Sequence, residues 1–351
     1  MMKHSKLLLF GLALAIAGCE KETAPPTPTP TTSAGGGGLK IVFIPKDTGN
    51  VYFKDVIRGF EDASKEIGAE FTTIGPAVAD ATSQISYIKE QVQRGVDVIA
   101  IAANSPDALN QALDEAKAKG ITVITVDADV AGNESHRDVA VLQTDFTKVG
   151  PSQVELLGSL IGYEGDFAIL SATTDAPNQN AWIATMKETL KQPKYAKMKL
   201  VDIVYGNDES QKSTTVCEAL LSKYPNLRGI ISPTSVGLAS AAQTLYLSGE
   251  YPGGPKVKGK GIELTGLSTP NLLKNFVQNG TVKSFQLWLP RDMGYIATYL
   301  AQQIHSGKLK PAEGVTFEAG KLGKRTIGKM NVVAAGELLT FDKSNIGKYD
   351  F

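Results

Sequence analysis

Four consecutive apolar residues, Ile41, Val42, Phe43 and Ile44, stop at Lys46 and give way to a polar loop holding Gly49 and Asn50. Unbroken rather than alternating hydrophobicity is the pattern of a strand covered on both faces by helices. The unit then repeats. Phe53, Val56, Phe60, Ala63 and Ile67 fall at helical spacing before Gly68, and strand-like runs at 69–74, 96–102 and 121–126 alternate with helical stretches at 81–94 and 106–119. After an apolar run at 139–142, a second series places strands at 166–170, 200–205, 229–232, 262–267 and 282–287, with helices between them and a last helix at 291–306. Such alternation implies right-handed crossovers and an α/β chain of doubly wound parallel sheets. A chain of 351 residues exceeds one compact core, so two lobes joined by a hinge are expected. The first takes 39–143 plus 289–315 and the second 144–288 plus 316–351.

The N-terminus reads as a delivery device. Lys3 and Lys6 precede an apolar run at 7–17 that is too short to span a bilayer, so residues 1–18 are expected to be a secretory signal. Ile16, Ala17, Gly18 and Cys19 resemble the lipobox of bacterial lipoproteins, which implies acylation of Cys19; an ordinary signal with an incidental cysteine is the alternative. Residues 19–38, rich in Pro, Thr and Gly, form a tether. The only other cysteine, Cys217, has no partner for a disulfide and reads as a buried small hydrophobe.

Lys+Arg and Asp+Glu number 36 each, which provides no basic field for a phosphate backbone and excludes nucleic acid as a partner. With three histidines and no HExxH or CxxC spacing, a catalytic metal is not expected. No nucleophile elbow, Walker loop or dinucleotide fingerprint follows a strand, so neither a catalytic residue nor a cofactor is expected and the chain does not read as an enzyme. Asp127, Asp129, Gly132 and Asp138 approach the spacing of a calcium loop, but Ala131 occupies a ligand position and the bidentate glutamate is missing.

Ligands of doubly wound sheets bind outside the carboxyl ends of the strands. Those ends carry Lys46 and Asn50, Asn104, Asp127, Asn178 and Gln179, Pro233, Thr234 and Ser235, Ser268, and Trp288, with Tyr52, Phe53 and Trp182 beside them. Amides and a carboxylate pair with sugar hydroxyls, and aromatic faces cover the C–H face of a ring. Bland readings stand beside these. Trp182 fits a core as well as a pocket, Asn104 fits a helix cap, Lys46 fits a solvated surface, and Asp127 fits a turn cap.

The stretches FIPKDTGNVYF, IAIAANSPDAL, ITVITVDAD, AILSATTDAPNQNAW, IISPTSVGLASAAQ, TGLSTPN and GTVKSFQLW resemble, in one order, the type I periplasmic binding proteins of ABC importers, especially rhamnose-binding proteins and autoinducer-2 receptors. The resemblance covers nearly all of the chain after residue 38. The autoinducer-2 pocket pattern of Lys, Asp, Asp-Gln, Pro and Ala falls on Lys46, Asp127, Asn178-Gln179, Pro233 and Ser235. Two positions depart, since Asn178 replaces an acid and Ser235 an alanine. NQNAW is closer to the rhamnose-binding pattern, and Ser268 lacks the aspartate that ribose-type binders place there. The resemblance implies a monomeric, extracytoplasmic binding lipoprotein whose lobes close on a rhamnose-like sugar or autoinducer-2, a furanosyl signal molecule, and pass it to a membrane ABC permease. The alternative partner is a chemoreceptor or kinase.

Overall fold

The computed structural model describes residues 38–257 and 259–351. The leader, Cys19 and nearly all of the tether therefore lie outside the described residues. The first series runs β1 (Lys40–Ile44), α1 (Tyr52–Ile67), β2 (Glu70–Thr73), α2 (Ala81–Arg94), β3 (Val98–Ile101), α3 (Asn110–Ala118), β4 (Thr122–Val126) and β5 (Val139–Leu142). The second runs α4 (Phe146–Ile161), β6 (Glu164–Ser171), α5 (Pro177–Thr189), β7 (Lys197–Tyr205), α6 (Ser210–Lys223), β8 (Leu227–Ser232), α7 (Ser235–Ser248), β9 (Glu263–Gly266), α8 (Pro270–Gln278) and β10 (Ser284–Leu287). The tail adds α9 (Pro290–His305), β11 (Thr316–Glu318), β12 (Lys324–Thr326), β13 (Val332–Ala334) and β14 (Leu339–Asp342).

The strands form the two expected sheets. The first has the order β13-β5-β4-β3-β1-β2, all parallel. The second has the parallel order β7-β6-β8-β9, extended through a bridge between Leu267 and Gln286 to the antiparallel pair β10-β14. Helix boundaries follow local chemistry. Asp80 and Asp145 accept backbone N–H bonds at the starts of α2 and α4, and Gly68, Gly95, Gly162 and Gly249 end helices in the left-handed conformation.

Helix α9 packs on α1 of the first series. It crosses α1 where Gly59 meets Gly294: a Cβ on Gly59 would lie 1.9 Å from the Arg291 carbonyl oxygen, and one on Gly294 2.1 Å from that of Val56. Against this pair the core stacks Phe43 on Phe60 at 5.0 Å and Phe60 on Phe71 at 5.1 Å. Cys217 is buried on α6, where desolvation pushes its thiol up to about 12.

Two expectations need correction. The tail does not belong wholly to the second lobe. Val332, Val333 and Ala334 pair with Ala140, Val141 and Leu142, so β13 extends the first sheet, and the Gln303 side chain of α9 donates to the Glu318 carbonyl beside it. Only from β14 onward does the tail join the second sheet. Consequently the chain passes between the sheets at 143–145, 288–289 and 335–338. The helix predicted over 106–119 starts later, at Asn110, because residues 105–109 form a turn in which the Ser105 hydroxyl accepts the Ala108 N–H.

Candidate functional site

The carboxyl ends of both sheets converge on a cavity. Its lining comprises Lys46, Asn50, Tyr52, Phe53, Asp127, Asn178, Gln179, Trp182, Asp208, Pro233, Thr234, Ser235, Leu267, Leu287 and Trp288. Thus all the strand-end candidates but Asn104 and Ser268 are brought together. The parallel strand direction accounts for this, since successive crossovers return every loop of one kind to the same edge.

Asp127 sits at the centre, at the end of β4 with a left-handed φ of 71°. Aspartate tolerates this conformation better than most residues, and the turn carries its carboxylate into the cavity. One oxygen is fully engaged: Oδ1 accepts from the Tyr52 hydroxyl and from Gln143 Nε2, each at 2.7 Å. Gln143 also donates to the Asp127 carbonyl at 2.7 Å, and Trp288 Nε1 donates to the Tyr52 hydroxyl at 2.9 Å. Among the described residues the other oxygen, Oδ2, receives only a long bond of 3.4 Å from Asn178 Nδ2. Lys46 Nζ spans from the first sheet to the second, donating to Asn178 Oδ1 at 2.8 Å.

Burial governs the electrostatics. Desolvation pushes Asp127 up and Lys46 down from their ordinary values, and their mutual attraction opposes both shifts. Asp208 is raised by the same desolvation, and burial holds Tyr52 well above the phenol range as a neutral donor to Asp127. Trp182 and Trp288 tilt across one another at 5.7 Å between ring centres, and Tyr52 meets Trp288 edge-on at 6.4 Å. Trp182 is both core and pocket wall: its ring is buried, and its Nε1–H meets no acceptor among the described residues.

Asn104 has a different role. Its Nδ2 donates to the Lys46 carbonyl at 2.8 Å and its N–H donates to Gln84 Oε1 at 3.0 Å, while Gln84 Nε2 donates to the carbonyls of Pro45 and Ala102. It therefore neither faces the cavity nor caps α3, but braces the backbone that presents Lys46. Ser268 also lies off the cavity lining, with its hydroxyl buried. Conversely, Asp208 was missed. It follows β7, and extending the strand-end argument to that strand would have found it; Leu267 and Leu287, as strand-end apolar residues, carried no comparable signal. The calcium-like spacing dissolves because Asp129 is bound bidentately by Arg137, with two bonds of 2.7 Å, and Asp138 accepts the Val123 N–H. Among the described residues no cluster of metal-ligating side chains is found.

The model of a periplasmic binding protein domain matches residues 41–309. A solute-binding protein of an ABC transporter from Clostridium phytofermentas, solved with bound L-rhamnose, is 32% identical, with coverage of 89% of this chain and 98% of that one and a TM-score of 0.83. LsrB from Clostridium saccharobutylicum, solved with AI-2, is 26% identical, with coverage of 89% and 100% and a TM-score of 0.81. The D-ribose/D-allose-binding protein of Pseudomonas aeruginosa is 24% identical over 227 residues, 60% of this chain and 68% of its own length. Matching sheets, matching interleaved helices and a domain model spanning most of the chain place this protein in the periplasmic binding protein family, with the type I fold.

Proposed function

We propose that this protein is the extracytoplasmic solute-binding component of a sugar-type ABC importer, anchored through lipidated Cys19 and closing its two lobes on a small neutral polyol. The observation that carries this reading is the unequal use of the Asp127 carboxylate. Tyr52 and Gln143 fix Oδ1, so Oδ2 is oriented in the cavity with acceptor capacity to spare. A hydroxyl there makes a charge-assisted hydrogen bond worth about 1.5–3 kcal/mol net. Lys46 retains donors beyond the one given to Asn178, and the Trp182 and Trp288 rings offer the apolar surface that a sugar ring requires.

Closure follows from the division of the site between two sheets. A ligand that touches Asp127 and Lys46 on one side and Asn178 and Ser235 on the other meets both sets only when the lobes are together, so binding stabilises the closed state. Within this class we favour a rhamnose-like deoxy sugar over AI-2. The L-rhamnose complex supports that preference through its higher identity, 32% against 26%, and its fold agreement.

Isothermal titration calorimetry with L-rhamnose, AI-2 and D-ribose tests the proposal. Tightest binding to L-rhamnose is expected. Asp127→Asn, which keeps the shape and tolerates the left-handed backbone, is expected to weaken binding roughly 10- to 100-fold while leaving the melting temperature of the unliganded protein close to wild type. Absence of binding to every small carbohydrate overturns the reading, and a collapsed Asp127→Asn variant makes Asp127 architectural.

A further inference from the structure

Asp208 is a second acidic group in the cavity, and the local backbone fixes where it points. Asn207 and Asp208 both adopt left-handed conformations, with φ of 57° and 56°, a region these two residue types enter more readily than other non-glycine residues. The turn is pinned from both sides: the Gly206 and Asn207 N–H groups donate to the carbonyls of Ser171 and Ala172, and Ser213 packs so closely that a Cβ on Gly206 would lie 2.2 Å from its hydroxyl. The result aims Asp208 at Thr234, whose hydroxyl donates to Oδ1. No described residue donates to Oδ2.

The other polar groups on the second-sheet side are partly occupied. Gln179 Oε1 accepts from the Ser171 hydroxyl at 2.7 Å and the Ala172 N–H at 2.8 Å. Asn178 Oδ1 accepts from both Lys46 and the Gln179 N–H. Asp208 Oδ2 is therefore the charged acceptor that the second sheet has to offer, as Asp127 Oδ2 is for the first.

We propose that Asp208 is a specificity-determining residue that binds ligand hydroxyls from the second sheet opposite Asp127, and that the pair selects neutral polyols carrying hydroxyl donors on two edges over sugar acids and sugar phosphates. This deepens the function proposed above and rests on it. An anionic ligand faces two carboxylates and a single ammonium already shared with Asn178, so repulsion is not offset. A ligand lacking a donor at the second edge leaves Oδ2 of the half-buried Asp208 without a partner in the closed cavity, a loss that a snug apolar fit does not recover.

The test is calorimetry of the wild type, Asp208→Asn and Thr234→Val with L-rhamnose, D-ribose and the anionic probe D-glucuronate, with the unliganded melting temperature as the folding control. Asp208→Asn is expected to fold normally and to bind the preferred neutral sugar roughly 10- to 100-fold more weakly. Thr234→Val, which frees Asp208 to turn, is expected to show a smaller loss in the same direction, and the wild type is expected to reject D-glucuronate. Wild-type affinity in both variants, or wild-type binding of D-glucuronate as tight as that of the neutral sugar, overturns this inference alone. A wild-type protein that binds neither neutral sugar overturns it together with the function proposed above.

Discussion

Asp127 and Asp129 leave the end of the same strand two residues apart, and the molecule treats them in opposite ways. On the side of the loop turned away from the cavity, Asp129 is locked by both arms of Arg137 and also accepts from the Thr125 hydroxyl and the Val130 N–H, so each of its oxygens holds at least one short bond. On the cavity side, Asp127 has one oxygen saturated and the other held in reserve. A buried carboxylate whose partners are complete is part of the architecture, whereas one whose partners are half complete is positioned for something that arrives from outside. Asp47 falls between them: Oδ1 accepts the N–H groups of Gly49 and Asn50, at 2.9 and 2.8 Å, while Oδ2 is buried with no partner among the described residues.

The comparison is broken most severely by removing the completed pair. Asp129→Ala leaves the Arg137 guanidinium, 1% exposed, as an uncompensated buried charge. It is expected to destabilise the fold by about 3–5 kcal/mol in urea denaturation while the molecules that remain folded keep wild-type ligand affinity. Arg137 also donates to the Met330 carbonyl, so the same variant is expected to loosen the approach to β13 and raise hydrogen exchange there. Stability within about 1 kcal/mol of wild type makes the pair dispensable and removes the contrast with Asp127.

A smaller effect comes from Asp47, whose carboxyl is raised by burial from its ordinary value of 3.8 to about 6. The folded state then holds the proton more tightly than the unfolded chain, so this group's contribution to stability falls as pH rises through the window from 3.8 to about 6 and is at its worst above it. Asp47→Asn keeps an oxygen for the Gly49 and Asn50 N–H groups and removes the penalty. The variant is expected to be more stable than wild type at pH 7 by at most about 3 kcal/mol, with the difference vanishing only as pH falls below 3.8. Paired melts across that range measure it, and a difference that persists at low pH assigns the effect to something other than ionisation. Asp127 shifts in the same direction but is present in both proteins and cancels in the comparison, whereas repulsion from Asp208 is part of what raises Asp47 and so belongs to the penalty that Asp47→Asn removes.

The smallest effect sharpens the comparison on the donor side. Trp182→Phe deletes an unpartnered buried N–H, so the unliganded protein is expected to lose no stability from that deletion. Affinity for the bound sugar is expected to fall roughly 2- to 10-fold, by calorimetry, through loss of a donor to the ligand. Unchanged affinity makes Trp182 only a wall.

Much of this was legible in the sequence because the fold itself converts order along the chain into place in space. Buried parallel strands read as continuous apolar runs, and the residue after each one lands on the cavity rim; Lys46, Asp127 and Trp288 follow from that rule alone. The rule says where a backbone ends and not where a side chain turns. Asn104 occupies a strand end like the others, yet Gln84 and the Lys46 carbonyl claim it for support. The assignment of residues 316–334 failed for another reason. A three-residue strand such as β13 has no periodicity to read, and its sheet is decided by pairing with β5, almost two hundred positions away in the chain. Asp208 follows β7 and obeys the same strand-end rule; only the aim of its side chain, set by a left-handed Asn-Asp turn, needs the backbone angles.

The three chain passages between the sheets carry a mechanical consequence. Residues 143–145, 288–289 and 335–338 act as three short legs between two stiff bodies. Sliding or wholesale separation would require every leg to lengthen at once, and a two-residue leg has no slack. What remains is rocking about the line of the legs, a single coordinate along which the mouth of the cavity widens while its hinge edge stays shut. Under the function proposed above, loading and release of the solute would then share one door, opened by the turning of those few backbone bonds.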